Sequence, residues 1–211
     1  MSYFYIFSLV IFSSCSFFHK ELEWKDYVKY INAEENGLVV KKYANHLELA
    51  LKYLPADYLV HRELEGDTSF TNKQRDSILE SYSHNLTFVL SINPDEREGE
   101  SIIEDVLFYD LKTKEDYTRR MMYLNFDIKE DIKLSCDSLS EYVPVITNME
   151  NNYGLSKGRN ITIVFTPLKS KDEFKQSKTI TVKWNDEVFE TGLNYFKFNS
   201  DELFSTPSLK L

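Results

Sequence analysis

Alternation of apolar and polar residues with a period of two runs through the second half of the chain and limits what it can build. Ile161, Ile163 and Phe165 alternate with Thr162, Val164 and Thr166, and Ile180, Val182 and Trp184 alternate with Thr179, Thr181 and Lys183. Successive side chains of a strand point to opposite faces, so each run predicts a strand with one strongly apolar face. Leu86, Phe88, Leu90 and Ile92, interleaved with Thr87, Val89 and Ser91, give another, closed by the turn-forming Asn93-Pro94-Asp95. From Phe126 the same period continues through Ile128, Ile132 and Leu134. Val143, Val145 and Met149 follow, with Pro144 placing that strand at a sheet edge. Asn185-Asp186 signals a tight turn before Val188 and Phe189. Gly192 breaks that strand, and Tyr195 to Phe198 resume it.

Steps of three and four mark helices in the first half. Val40, Tyr43, Ala44, Leu47, Ala50, Leu51 and Leu54 fall on one helical face and predict a helix over about 33–53. It starts at an Asn32/Glu35 capping box or at Asn36-Gly37, and Pro55 ends it. Thr71-Asn72-Lys73-Gln74 is a capping-box pattern opening a helix to about Tyr82. Ile102, Ile103, Val106, Leu107 and Leu111 predict a further helix, and Tyr117, Met121 and Met122 another. Tyr58 to Leu64 reads as a strand. Helices mainly in the N-terminal half, followed by sequential strands with short turns, imply an α+β fold whose antiparallel sheet dominates the C-terminal half. No internal repeat or low-complexity linker divides residues 32–211, which read as one α+β domain with any sub-boundary near 124.

Aromatic residues make up 15% of the 211 residues, against 6 Gly and 5 Pro, a composition that packs rather than stays disordered. The formal net charge of −9 disfavours nucleic acid and anionic lipid headgroups as partners.

From Tyr3 to Phe18 there is no charge. A run of about sixteen residues is short for a membrane-spanning helix, which needs roughly twenty. It fits the apolar core of a signal peptide, ~7–15 residues followed by small residues. Leu9, Val10, Ile11 and Phe12 lead into Ser13, Ser14 and Cys15, and two small residues before a cysteine let the chain lie flat in a peptidase groove. The segment Phe12-Ser13-Ser14-Cys15 resembles the type II signal peptide of bacterial lipoproteins, with Phe12 where Leu is usual. The resemblance implies that residues 1–14 are removed. Cys15 would then become the lipid attachment site, carrying a diacylglyceryl thioether and an N-acyl chain that together hold a protein stably at a bilayer. It further implies a lipid-anchored protein of the cell envelope, on the periplasmic or surface face of an outer membrane, with an envelope protein as a partner. A plain secretory signal cut nearby and an uncleaved N-terminal anchor are alternative readings of the same residues.

Residues 15–31 read as the tether. Trp24, Tyr27 and Tyr30 at helical spacing make it a short helix docked on the body or a spacer near the membrane. With Cys15 acylated, Cys136 has no intrachain partner; otherwise a Cys15–Cys136 disulfide is open to it in an oxidising compartment. Within Lys133-Leu134-Ser135-Cys136 it reads as a small buried side chain.

The search for chemistry yields little. His19, His46, His61 and His84 are not spaced as zinc ligands, no Cys-x2-Cys occurs, and no cofactor motif is present. His46 reads as a rim residue of the helix over 33–53, and His84 as leading into a strand. His61 and Glu63 share one face of a strand and could serve acid–base work, with a solvated face as the plainer reading. The acidic run Asp95 to Glu100 lacks the ligand alternation of an EF-hand and reads as a solvated loop. Gly154-Leu155-Ser156-Lys157-Gly158-Arg159 looks superficially like a phosphate loop, but it lacks the Gly-Lys-Ser/Thr ending and enters a strand, so it reads as a turn. Lys157, Arg159, Arg119 and Arg120 read as solvated basic spots. Phe189, Tyr195, Phe196, Phe198 and Phe204 line a groove or, the plainer reading, pack in the core. No nucleophile elbow is present. The reading is a binding or structural module. The alternatives are an envelope hydrolase, with His61, Glu63 and Asp95 as first candidates, and a soluble secreted binding protein.

Overall fold

The computed structural model describes residues 21–65, 69–97, 99, 101, 103–137, 141–167 and 172–210. Cys15 and the leader, His19, Glu98, Glu100 and Ile102 lie outside them. In chain order the elements are β1 (Glu21–Leu22), α1 (Trp24–Asn32), β2 (Val39–Ala44), β3 (Leu47–Leu54), α2 (Ala56–Leu64), α3 (Asn72–Ser83) and β4 (Leu86–Pro94). Then come α4 (Lys114–Met122), α5 (Ile128–Asp131), β5 (Ile132–Ser135), β6 (Glu141–Tyr142), β7 (Ile146–Met149) and β8 (Arg159–Phe165). The chain closes with α6 (Asp172–Gln176), β9 (Thr179–Asp186), β10 (Gly192–Asn199), α7 (Ser200–Phe204) and β11 (Ser208–Leu209). One sheet has the order β2-β3-β4-β8-β7 and the other β10-β9-β5-β6, antiparallel throughout. The fold is α+β, with strands more frequent in the C-terminal half.

The alternating runs give β4, β8 and β9 with the expected inward sets: Phe88, Leu90 and Ile92; Ile161, Ile163 and Phe165; Ile180, Val182 and Trp184 are all buried. Phe88 of the first sheet lies 5.4 Å, centroid to centroid, from Phe198 of the second, and both belong to one continuous apolar core. The capping box is present: the Gln74 amide donates to Thr71 Oγ1 and the Thr71 amide to Gln74 Oε1. The Pro144 segment lies between β6 and β7, each an edge strand.

The helix expected over 33–53 is instead the β2–β3 hairpin. Ala44 pairs with Leu47, so the connection is the two residues Asn45 and His46, at φ 49° and 60°. Left-handed backbone at both central positions is the turn that matches strand twist. It carries no glycine to mark it, and it shifts the phase of the apolar positions so that two strands mimic one helical stripe. Pro55 does not stop a helix but caps the start of α2, so Tyr58 to Leu64 is helical rather than extended. The helix expected around Ile103–Leu111 is a run of turns, and Ile103, Val106 and Leu107 are buried without helical backbone. α4 runs on through a π-helical segment, Tyr123–Asp127, into α5. Phe126 and Ile128 are therefore helical, and the strand begins only at Ile132.

Residues 21–32 join the body. Tyr27 and Ile31 of α1 are fully buried, and β1 pairs in parallel with β11, Leu22 beside Leu209. Asp57 of α2 accepts the Leu209 amide at 3.2 Å. All these contacts gather at the Leu54 end of β3.

Burial raises the Asp57 carboxyl above the usual aspartate range, against the Leu209 amide and Arg75, which pull it down. The folded protein thus binds this proton more tightly than the unfolded chain does. The resulting stability is present below the ordinary aspartate value near pH 4 and is lost as pH rises through the raised folded value. Asp57→Asn keeps an acceptor for Leu209. It is expected to flatten that slope, raising the thermal midpoint more at pH 7 than at pH 4 in paired calorimetric scans.

Candidate functional site

At the Leu47 end of β3, opposite the paired termini, the connecting segments gather and two recesses open between them. The larger encloses about 670 Å³. One wall is Tyr109–Lys112 with Asp116 and Arg119 of α4; the other is the β9–β10 loop, Glu187–Glu190; the Asn45-His46 turn closes the end.

Arg120 forms the floor. It is only 5% exposed, and its Nη1 donates to the carbonyls of Val106 (3.0 Å), Leu107 (3.3 Å) and Tyr109 (2.7 Å). Nη2 donates across the recess to the Val188 carbonyl at 3.3 Å, and the guanidinium carbon sits 4.6 Å from the centre of the Phe189 ring. No carboxylate pairs with it directly among the described residues, and its Nε has no hydrogen-bond partner. Burial pushes the guanidinium below the usual arginine range while Asp186, Asp110 and Asp116 draw it back up; it stays charged. A single buried cation therefore ties the two walls together.

The facing wall is held by the opposite charge. Asp186, 1% exposed, accepts from the amides of Val188 (3.0 Å), Phe189 (3.1 Å) and Thr191 (3.1 Å) and from Thr191 Oγ1 (2.5 Å). The loop's carbonyls point the other way: Val188 to Arg120, Phe189 and Glu190 to Asn45 Nδ2 at 3.2 and 2.6 Å. The backbone groups of residues 188–191 are thus largely used up in fixing their own position. On the α4 side a second capping box acts, with Thr113 Oγ1 accepting the Asp116 amide and Asp116 accepting from Thr113. Those bonds, with Arg119, hold the Asp116 carboxyl below its usual range.

Four of the five described non-glycine residues with left-handed backbone (Asn45, His46, Asp110 and Glu190) line this recess. Such conformations persist only where the surroundings over-determine them, and they cluster at binding and catalytic sites. Around the rim Asp110, Lys112, Arg119, Glu187 and Glu190 are exposed, while Phe189 below is buried and Tyr109, Leu111 and Val188 half-buried. Arg119 pairs with Asp116 at 3.5 Å, whereas Lys112, Glu187 and Glu190 have no ion-pair partner among the described residues.

The smaller recess, about 460 Å³, lies between Glu48, Asn93, Pro94, Glu96, Arg97 and Ser156–Gly158. Its charges are spent on each other. Arg97 forks onto Asp95 at 3.0 and 2.8 Å, holding that carboxyl below the usual range, and stacks over Tyr43; Lys157 meets Glu96 at 3.3 Å.

The residues singled out by sequence are scattered. His61 and Glu63 lie on α2, where a two-residue step separates rather than joins their directions. His61 stacks on Trp24, rings 3.8 Å apart with its Nδ1 buried and unpartnered, while Glu63 accepts the Tyr82 hydroxyl at 2.6 Å. Asp95 pairs with Arg97 beside the smaller recess, at the far end of β3 from α2. His84 caps α3 just before β4. The 154–159 segment is a turn leading into β8, as expected, but Arg159 is not solvated: it is buried and paired with Asp105 at 2.6 Å. Arg120 is the second such correction, and it holds the site together. Arg119 is solvated, as expected. Cys136, Phe189, Phe196 and Phe198 are core residues; Tyr195 faces outward and Phe204 is half-buried. The signal for Arg120 was its position: adjacent helical residues point about 100° apart, and Tyr117, Met121 and Leu124 place Arg120 rather than Arg119 on the inward stripe.

No family model and no curated protein matches the chain. A solved structure described as a novel protein of unknown function from Burkholderia pseudomallei is similar at 12% identity, covering 89% of this chain and 94% of the other, with a TM-score of 0.38. A likeness at that level carries no argument about what this chain does.

Proposed function

We propose that the protein is a lipid-anchored binding module of the cell envelope, held at the outer membrane through Cys15, with its ligand-facing end turned away from the bilayer. The observation that carries this reading is placement. Cys15 lies six residues before Glu21, which opens the element at the Leu54 end of β3, and the larger recess sits at the Leu47 end. Eight residues of strand separate the two ends by roughly 25 Å. An anchor at one end and a loop-lined recess at the other present the recess to solvent. The net charge of −9 adds repulsion from anionic headgroups, so the membrane contact goes through the lipid rather than through a basic face. Several acyl chains together hold such a body on the membrane, where one alone does not.

Metabolic labelling with an alkyne fatty acid tests the anchor. The wild-type chain should take up label and partition into detergent, and Cys15→Ser should lose both properties. An unlabelled wild-type protein, or label unchanged in Cys15→Ser, overturns the reading.

A further inference from the structure

We infer that the larger recess binds a zwitterionic small molecule of the amino-acid or short-peptide class. This rests on the reading of the body as a binding module but not on its lipid. The recess volume, about 670 Å³, falls within the range of roughly 300–1,000 Å³ typical of small-ligand sites. Its rim carries charge of both signs on opposed walls, Lys112 beside Asp110 on one and Glu187 with Glu190 on the other, while Phe189, Val188, Leu111 and Tyr109 form an apolar bed between them.

A purely anionic ligand gains at Lys112 and Arg119 but meets Asp110, Glu187 and Glu190. A purely cationic one gains at the glutamates but meets Lys112 and Arg119, with Arg120 beneath. A ligand bearing a carboxylate and an ammonium separated by an apolar group satisfies both rims at once. The carboxylate goes to the Lys112 and Arg119 side, the ammonium to Glu187 and Glu190, and the side chain onto Phe189. The site is pre-organised for this. Arg120, Asp186 and Asn45 fix the β9–β10 loop without help from a ligand, so little ordering entropy is lost on binding. Contacts to exposed rim charges are individually weak, which sets the affinity on the order of 0.1–1 mM.

Isothermal titration of the full-length protein in detergent with the dipeptide Ala-Phe, N-acetyl-Ala-Phe and Ala-Phe-amide tests this. Ala-Phe should bind, and blocking either charge should weaken binding roughly five- to tenfold. Lys112→Met should reduce the discrimination against the amide to what Arg119 supplies and leave that against the acetylated form. The Glu187→Gln/Glu190→Gln double variant should do the reverse. All these positions are exposed, so the fold is not at stake. No heat from any of the three at up to about 10 mM, or equal binding of all three, overturns the assignment. The titration needs no acylation, so it stands or falls apart from the labelling of Cys15.

Discussion

Replacing Arg120 with methionine is expected to lower the unfolding free energy by about 3 kcal/mol, read as a fall in the urea midpoint. Methionine fills the channel of the arginine stem, so the loss comes from the carbonyls of Leu107, Tyr109 and Val188, which lose their donor, while the Val106 carbonyl keeps the Tyr109 amide at 3.4 Å. Each buried acceptor left unpaired costs about 1 kcal/mol or more. Removing a buried cation returns its desolvation cost, which keeps the net below the sum of the parts. Arg120→Lys should recover only a fraction, because one ammonium cannot reach both the 106–109 turns and Val188 as the planar fork does. With the walls no longer tied, the methionine variant should also lose Ala-Phe binding. A variant within about 0.5 kcal/mol of the parent would show that the guanidinium does not hold the recess together.

Phe88→Ala is expected to cost about 4 kcal/mol, near the upper end for a core aromatic. The side chain is fully buried and its ring meets Tyr53, Phe165 and Phe198 at 5.5, 6.1 and 5.4 Å. Those partners come from β3, β8 and β10, so the void would open between the two sheets and leave each facing it. Because one apolar core serves both sheets, calorimetry of the variant should show a single transition at lower temperature. Two separated transitions would mean that the sheets unfold as independent units.

The strands were readable where their apolar side chains sort by parity: β4, β8 and β9 stand where Leu86–Ile92, Ile161–Phe165 and Ile180–Trp184 placed them, although in β4 Thr87 and Val89 are buried as well. β3 was not: Leu47, Leu49, Leu51 and Tyr53 alternate, but the apolar Ala50 and Leu54 on its other face join Val40, Tyr43 and Ala44 of β2 in steps of three and four, so a helical period fits the same residues. The Asn45-His46 turn completed the disguise by supplying left-handed backbone without glycine. α2 was mistaken for a strand because Tyr58 and Val60 favour extended backbone; docking on Trp24 and burial of Val60 overrode that preference.

The larger recess was illegible for a different reason. Its walls come from segments more than sixty residues apart, joined by a buried arginine and by Asn45, both of which bind backbone of the β9–β10 loop. No spacing rule connects Arg120 with Val188 or Asn45 with Glu190. His61 and Glu63, which spacing did connect, point to different neighbours once their segment is helical.

The parallel pairing of β1 with β11 brings the first and last described segments of the chain side by side. A circularly permuted version, its old ends joined by a few Gly/Ser residues and its new ends opened at the solvent-facing Tyr153-Gly154 tip, would keep every inter-strand ladder intact. An affinity tag following β11 would emerge beside β1, a strand's length away from the recess, and would leave that mouth unobstructed.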